Sequence, residues 1–201
     1  MILVDSDLEE LILTQDLIDF YDDLGEQLQP ASFDLRVTDL RGQDGGLFPD
    51  VEKTPRGWTL APLAFALATT IERLNVPANL AGRVEGRSTT GRRGLQVHAT
   101  AGFIDPGFVG TITLELFNLG SNPIEIVHGS AIAQVAFFAC SGFARRPYGD
   151  PSRVSHYQGQ QGTTPAHSAP SVAACVSTAD QTKTVPWPVM PSTPVGRWRL
   201  Q

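Results

Sequence analysis

Along residues 28–140, hydrophobic and polar side chains alternate in short bursts, each cut off by glycine, proline or asparagine. The cleanest burst is TITLELF, residues 111–117. In a strand Ile112, Leu114 and Leu116 point one way, while Thr111, Thr113, Glu115 and Phe117 point the other. Phe33, Leu35 and Val37 alternate in the same manner with Asp34 and Arg36, a half-buried strand pattern. Further strands are predicted at 65–70, broken by Asn75, Pro77 and Asn79, and at 123–127 and 132–138, with Trp58-Thr59-Leu60 leading into Pro62. One helix is expected, near the N-terminus: Leu8, Leu11 and Ile12 fall at helical spacing behind Ser6-Asp7-Leu8-Glu9, a capping-box pattern. Many short strands and a single helix predict a mainly β sandwich or barrel.

The pattern stops at Gly162. Residues 163–201 hold six prolines among many Ser, Thr and Ala, which predicts a flexible extension with only Trp187 and Trp198 to dock it. The expected organisation is therefore one domain over 1–162 and an extension over 163–201. A net charge of −6 argues against a nucleic-acid polymer as partner. Early acids (Asp5, Asp7, Glu9 and Glu10) exclude a signal peptide, and no apolar run is long enough to cross a bilayer, so a cytoplasmic location is expected. Two cysteines, Cys140 and Cys175, make neither a disulfide framework nor a cysteine-rich metal site.

Zinc-dependent nucleobase deaminases use an H-x-E and a P-C-x-x-C segment. Neither exists here, because His98 is followed by Ala99-Thr100 and no cysteine has a partner two residues away. His98, His128 and His167 read as ordinary polar residues. Nucleotide-binding Gly-rich loops and serine-nucleophile elbows are also missing. For Glu115 two readings stand: a solvated sheet face, or a pocket carboxylate able to shuttle a proton near neutral pH. Just upstream, GRVEGRSTTGRRG (82–94) combines four glycines, three consecutive hydroxyl residues and four arginines, as in a loop that holds phosphate. It is followed by a turn built on Asp105, Pro106 and Gly107.

Taken together, QLQPASFDLR (27–36), NLAGRVEGRSTTGRRGLQVHATAGFIDPGFVGTITLELFN (79–118), GSAIAQ (129–134) and PYG…HYQGQQG (147–162) resemble the dCTP deaminases, which share a trimeric β fold with the dUTPases. The resemblance implies a dUTPase-like distorted jelly roll, a homotrimer with shared sites, and hydrolysis without zinc. It makes Glu115 the general acid/base, with Ser88, Arg92 and the Ala101 carbonyl holding the water and steadying charge. Asp105 would accept the deoxyribose 3′-hydroxyl. Arg87, Ser88, Thr89, Gln134, Tyr148 and Gln160 would surround the triphosphate with its Mg²⁺, and Thr90, Gly91, Thr113 and Leu114 complete the implied substrate contacts.

Some members stop at dUTP, while others continue to dUMP and pyrophosphate. Gly102-Phe103 after Ala101, and HYQGQQGTTPAHS near the end, resemble the dUMP-forming type. The alternatives are a deaminase that releases dUTP and a non-catalytic nucleotide-sensing trimer; dTTP is a candidate feedback inhibitor. The chain departs from the family at His156, where a phosphate-binding lysine is usual, and at Leu63, where a glycine normally follows the proline. Imidazole is mostly neutral above its ordinary pKa of ~6.5, so the phosphate grip is expected to depend on pH.

Overall fold

The computed structural model describes residues 1–41 and 51–167. Each predicted strand forms, and most run further than the alternation alone indicates. In chain order they are β1 (Ile18–Asp19), β2 (Leu28–Gln29), β3 (Ser32–Arg41), β4 (Val51–Thr54), β5 (Gly57–Leu60), β6 (Phe65–Asn75), β7 (Leu80–Gly86), β8 (Leu95–Val97), β9 (Phe103–Ile104), β10 (Val109–Asn118), β11 (Ile124–Val127) and β12 (Ala131–Ala139). Nine strands form one antiparallel sheet in the order β8-β10-β6-β3-β12-β7-β9, with β1 added to β6 and β2 to β3; β11-β5-β4 form a second. The large sheet curls until its ends approach: a β-carbon on Gly86 of β7 would lie 3.2 Å from Cβ of Val97 in β8. Inside the curl, Phe33, Leu35, Leu114, Leu116, Val135 and Phe137 are fully buried, each worth about 1.5–3 kcal/mol of transfer from water.

Helix α1 (Asp5–Gln15) buries Leu8 and Ile12 against this core. It starts at Asp5, ahead of the expected Ser6–Glu9 box, because the Asp7 carboxylate accepts the Val4 N–H at 3.1 Å. Two short helices escape periodicity: α2 (Leu24–Gln27), capped by Asp23, and α3 (Ser88–Arg92). The arginine-rich segment expected to be a loop is thus the end of β7 followed by α3. Val84 points inward while Arg83 and Glu85 pair outside at 2.5 Å, an alternation that the intervening glycines disguise. Among the described residues no helix is long and apolar enough to cross a membrane. Of the expected extension, residues 163–167 lie along the domain: the Thr163 hydroxyl donates to Asp39 and the Thr164 N–H to Thr113 Oγ1, at 3.2 and 3.1 Å. Positions 168–201, with Cys175, Trp187 and Trp198, lie outside the described residues.

The half-buried reading of β3 needs correction, since Asp34 and Arg36 are both buried. Residues 20–27 cover that face and are fixed there through Glu72, a carboxylate with no exposed surface on β6. Its Oε1 accepts from Arg36 Nε (2.6 Å) and Gln27 Nε2 (2.8 Å), and its Oε2 accepts the Arg36 N–H (2.8 Å). Arg36 also donates to the Phe20 carbonyl at 2.8 Å and pairs with Asp22. A charge pair taken out of water holds only when its remaining hydrogen-bonding capacity is filled, as it is here. Among the described residues, Glu72→Ala leaves Arg36 only the exposed Asp22 as an ion-pair partner. It is expected to lower unfolding free energy by about 3–5 kcal/mol, read from urea midpoints.

Leu63 has the left-handed backbone that glycine favours, at φ 59°, with its side chain in solvent and its N–H donating to the Asn118 carbonyl at 2.8 Å. A left-handed backbone costs a residue with a β-carbon roughly 1–2 kcal/mol. Leu63→Gly should therefore stabilise the fold by up to about 1 kcal/mol, after the entropy that glycine loses, and raise the melting temperature.

Candidate active site

β10 carries Glu115 between β6, where Leu67 stands opposite, and β8, whose Val97 pairs with Leu116. Its polar face is half-buried. Residues 157–164 run along the start of the strand, with the Gly159 N–H donating to Val109 O (2.7 Å), Thr111 N–H to Gln160 O (3.1 Å) and Gln160 Nε2 to Thr111 O (2.7 Å). The result is a cavity of about 510 Å³ with Glu115 on its wall. Glu115 Oε2 accepts the Thr100 N–H at 3.2 Å, while Oε1 has no hydrogen bond among the described residues.

Of the other implied site residues, Ala101, Phe103, Asp105, Thr113, Tyr148 and Gln160 line the same cavity. The Asp105 turn is held by close packing. Gly107, at φ 93°, leaves no space for a β-carbon, which would meet Pro147 Cβ at 2.5 Å, and the Tyr148 N–H donates to the Pro106 carbonyl at 2.7 Å. Tyr148 in turn packs on Phe108, ring centroids 5.8 Å apart.

A second hollow of about 300 Å³ takes Arg87, Ser88, Thr89 and Gln134, together with Gln29, Ser32 and Asp34. The two cavities share no lining residue. Asp34 faces Gln134 across the β3–β12 pair and holds Arg87 Nη2 at 3.1 Å, and its buried Oδ1 has no partner among the described residues. Burial pushes the Asp34 carboxyl above its ordinary range; Arg87 opposes this and Glu72 adds to it. Arg92 and Gly91 are exposed on α3, and with Thr90 they line neither cavity. Leu114 points into the core, so any contact it makes with a ligand is through its backbone. His156 is exposed and lines neither cavity.

Gly102 also lines neither cavity. Its carbonyl accepts the Val84 N–H at 2.8 Å, and a β-carbon on it would lie 2.7 Å from the Val84 carbonyl oxygen. Close approach of two backbones thus accounts for glycine here.

His98 was read as an ordinary polar residue, yet it lines the cavity beside Glu115. Its N–H donates to the Glu115 carbonyl at 2.9 Å, and the Glu115 N–H points to its Nδ1 at a long 3.5 Å. Its backbone is left-handed, at φ 65°. Burial holds the imidazole below its ordinary range, against the upward pull of Glu115 and Glu85. The signal was the register: with Val97 opposite Leu116, the residue that follows β8 must meet Glu115. Tyr157 and Thr164 are further cavity residues that pattern alone did not single out.

The curled sheet is shared with the crystal structure of 2′-deoxycytidine 5′-triphosphate deaminase from Agrobacterium tumefaciens, at a TM-score of 0.55 and 23% identity over 68% of this chain and 47% of that one. At that identity the likeness is one of fold, and this chain spans about half of that protein's length. Sequence goes further. A Bifidobacterium adolescentis protein named dCTP deaminase, dUMP-forming, is 42% identical over 158 residues, 71% of this chain and 82% of its own. One of the same name from Corynebacterium glutamicum (strain R) is 42% identical over 182 residues, 83% of this chain and 95% of its own. Residues 2–140 match the family described as dCTP deaminase-like, and the chain belongs to that family.

Two outcomes are expected. Gly102→Ala should separate the 98–103 segment from β7 and lower stability by about 1–3 kcal/mol in thermal unfolding. The depressed His98 means that the folded state binds fewer protons than the unfolded chain. Its contribution is full above about pH 6.5 and is lost as pH falls through the lower folded value. His98→Asn, which tolerates the left-handed backbone, should flatten the dependence of melting temperature on pH in that window.

Proposed function

We propose that the protein deaminates dCTP hydrolytically at cytosine C4 and then cleaves the resulting dUTP, giving ammonia, pyrophosphate and dUMP. The observation that carries this reading is the Glu115 carboxylate, tethered through one oxygen on the wall of a cavity that also holds Asp105, with its other oxygen unengaged among the described residues. Glu115 takes a proton from water as the water oxygen bonds to C4. It then returns a proton to the exocyclic nitrogen, so that the C4–N bond breaks and ammonia leaves, while the remaining hydroxyl proton passes to N3 and C4 becomes the uracil carbonyl. Ser88, Arg92 and the Ala101 carbonyl orient the water and steady the developing charge. Asp105 takes the 3′-hydroxyl, and in the second step a further water attacks the α-phosphorus with pyrophosphate departing.

The names borne by the relatives support dUMP as the product. Ser88 lies in a hollow separate from Glu115, and Arg92 lines neither cavity. That division supports a homotrimer in which a neighbouring copy supplies Arg87, Ser88, Thr89, Arg92 and Gln134 to the Glu115 cavity. Mg²⁺ belongs in this reading to the substrate, as the counter-ion of its phosphates. A zinc-free route belongs to the same reading, since the sequence has no H-x-E or P-C-x-x-C segment. A cytoplasmic supply of dUMP for thymidylate synthesis follows from the same reading. So does competition by dTTP, which keeps the deoxyribose and triphosphate.

Purified protein incubated with dCTP and Mg²⁺ should release ammonia and pyrophosphate with dUMP and little free dUTP, unaffected by a zinc-selective chelator. Accumulating dUTP without pyrophosphate would reduce the activity to deamination. Glu115→Gln should lower ammonia release by at least about 10³-fold while dCTP still binds; appreciable turnover by that variant would overturn the role of Glu115.

A further inference from the structure

Helix α3 has no buried face and is fixed at its two ends. A β-carbon on its Gly91 would meet nothing within 4 Å. Ahead of the helix, the Arg87 side chain pairs with Asp34 and donates to the Ala131 carbonyl at 3.2 Å. Behind it the anchor is Gly94, at φ 90°. The Gly94 carbonyl accepts the Leu119 N–H at 2.8 Å. Its backbone lies so close to the 119–122 bend that a β-carbon would stand 3.0 Å from the Gly120 nitrogen. The β8–β10 ladder ends at Leu95 opposite Asn118, so this contact carries the hold of the sheet on towards α3.

The bend that receives Gly94 is largely exposed and takes its shape from one side chain. Asn118, the last residue of β10, has no exposed surface. Its Nδ2 donates to the Leu60 carbonyl of β5 at 3.0 Å and to the Asn122 carbonyl at 2.9 Å, and its Oδ1 accepts the Gly120 N–H at 2.9 Å. Both amide protons and the amide oxygen are therefore engaged. Removing this side chain strands two carbonyls and an N–H. Among the described residues the bend makes no hydrogen bond beyond these and the one to Gly94.

We propose that Asn118 is a positioning residue that acts through the bend and Gly94 on α3, setting where Ser88 and Arg92 meet the Glu115 cavity of a neighbouring copy. This rests on the reading of the site as shared between copies. Arg92 is exposed and lines neither cavity of its own chain, so its use depends on the direction in which α3 projects. A helix without a buried face has no packing to restore that direction once an end is released. Misplacement of a catalytic group by about 1 Å can cost about 10²-fold in rate. The competing role for Asn118 is support of Glu115 on its own strand. Glu115, however, pairs with Leu67 of β6, and its carbonyl accepts the His98 N–H, both without the Asn118 amide.

Full-length Asn118→Ala is expected to release ammonia from dCTP about 10–100-fold more slowly than the unaltered protein. The decisive measurement joins two impaired chains. Asn118→Ala and Glu115→Gln chains with different affinity tags would be co-expressed, mixed assemblies isolated through both tags, and ammonia release measured. Every mixed trimer, whichever chain is in excess, has one site where an intact Glu115 meets an undisturbed α3, so about one third of the unaltered rate should return. Arg92→Ala with Glu115→Gln is the reference mixture and should recover to the same extent. Recovery in the reference mixture but not with Asn118→Ala overturns the inference alone, as does full turnover by Asn118→Ala on its own. No recovery in either mixture overturns the shared-site reading and the inference with it. Should Asn118→Ala fail to fold, Gly94→Ala takes its place in both assays, since it pushes α3 away from the bend and leaves the buried amide intact. The same outcomes then decide.

Discussion

The buried carboxylate of Glu72 is the constraint around which the domain is arranged. It lies on β6, whose Phe65 and Leu67 form one wall of the large cavity. It grips Arg36 of β3, and through Gln27 it ties down the segment that leads to Gln29, at the edge of the second hollow. Without that anchor Arg36 and Asp34 would be charges facing an uncovered sheet, and neither hollow would keep its shape. A buried ion is a costly way to hold two strands and a loop together. Its return is directional: apolar contacts tolerate sliding, whereas five hydrogen bonds on one Glu–Arg pair do not.

Three acids of one sheet meet three different environments. Glu72 is fully enclosed and answered by a cation. Asp34 is enclosed and half answered, with one oxygen on Arg87 and the other bare. Glu115 is half-buried and held by a single backbone N–H. The gradation follows cover: residues 20–27 seal the first, α3 partly covers the second, and the 157–164 segment leaves an open mouth beside the third. Chemical availability rises as cover falls.

The alternation of β10 was legible because one face of that strand is core and the other is not. The same rule misled on β3, where the polar residues are buried too and only the covering segment reveals it. β7 was hidden by glycines that are there because Ile104, Phe137 and Val97 crowd the strand. Strands of two or three residues, such as β8 and β9, and a one-turn helix such as α3 fall below the length at which periodicity can be read. Glu115, Asp105 and the cluster at 87–89 were singled out by residue type and by resemblance to the dCTP deaminases. His98, Tyr157 and Thr164 were missed, since their place on the cavity lies in register and in long-range return of the chain, which no local window contains.

The large sheet takes its last strand at Ala139, yet the cavity beside Glu115 borrows Tyr148, Tyr157, Gln160 and Thr164 from beyond it. Scaffold and site are therefore completed at different points of synthesis. A nascent chain emerging from the ribosome has every strand of its core before it has the far rim of its cavity, so the acquisition of a fold precedes the acquisition of a binding surface. Errors near residue 160 would spare the architecture and strike only what the architecture is for.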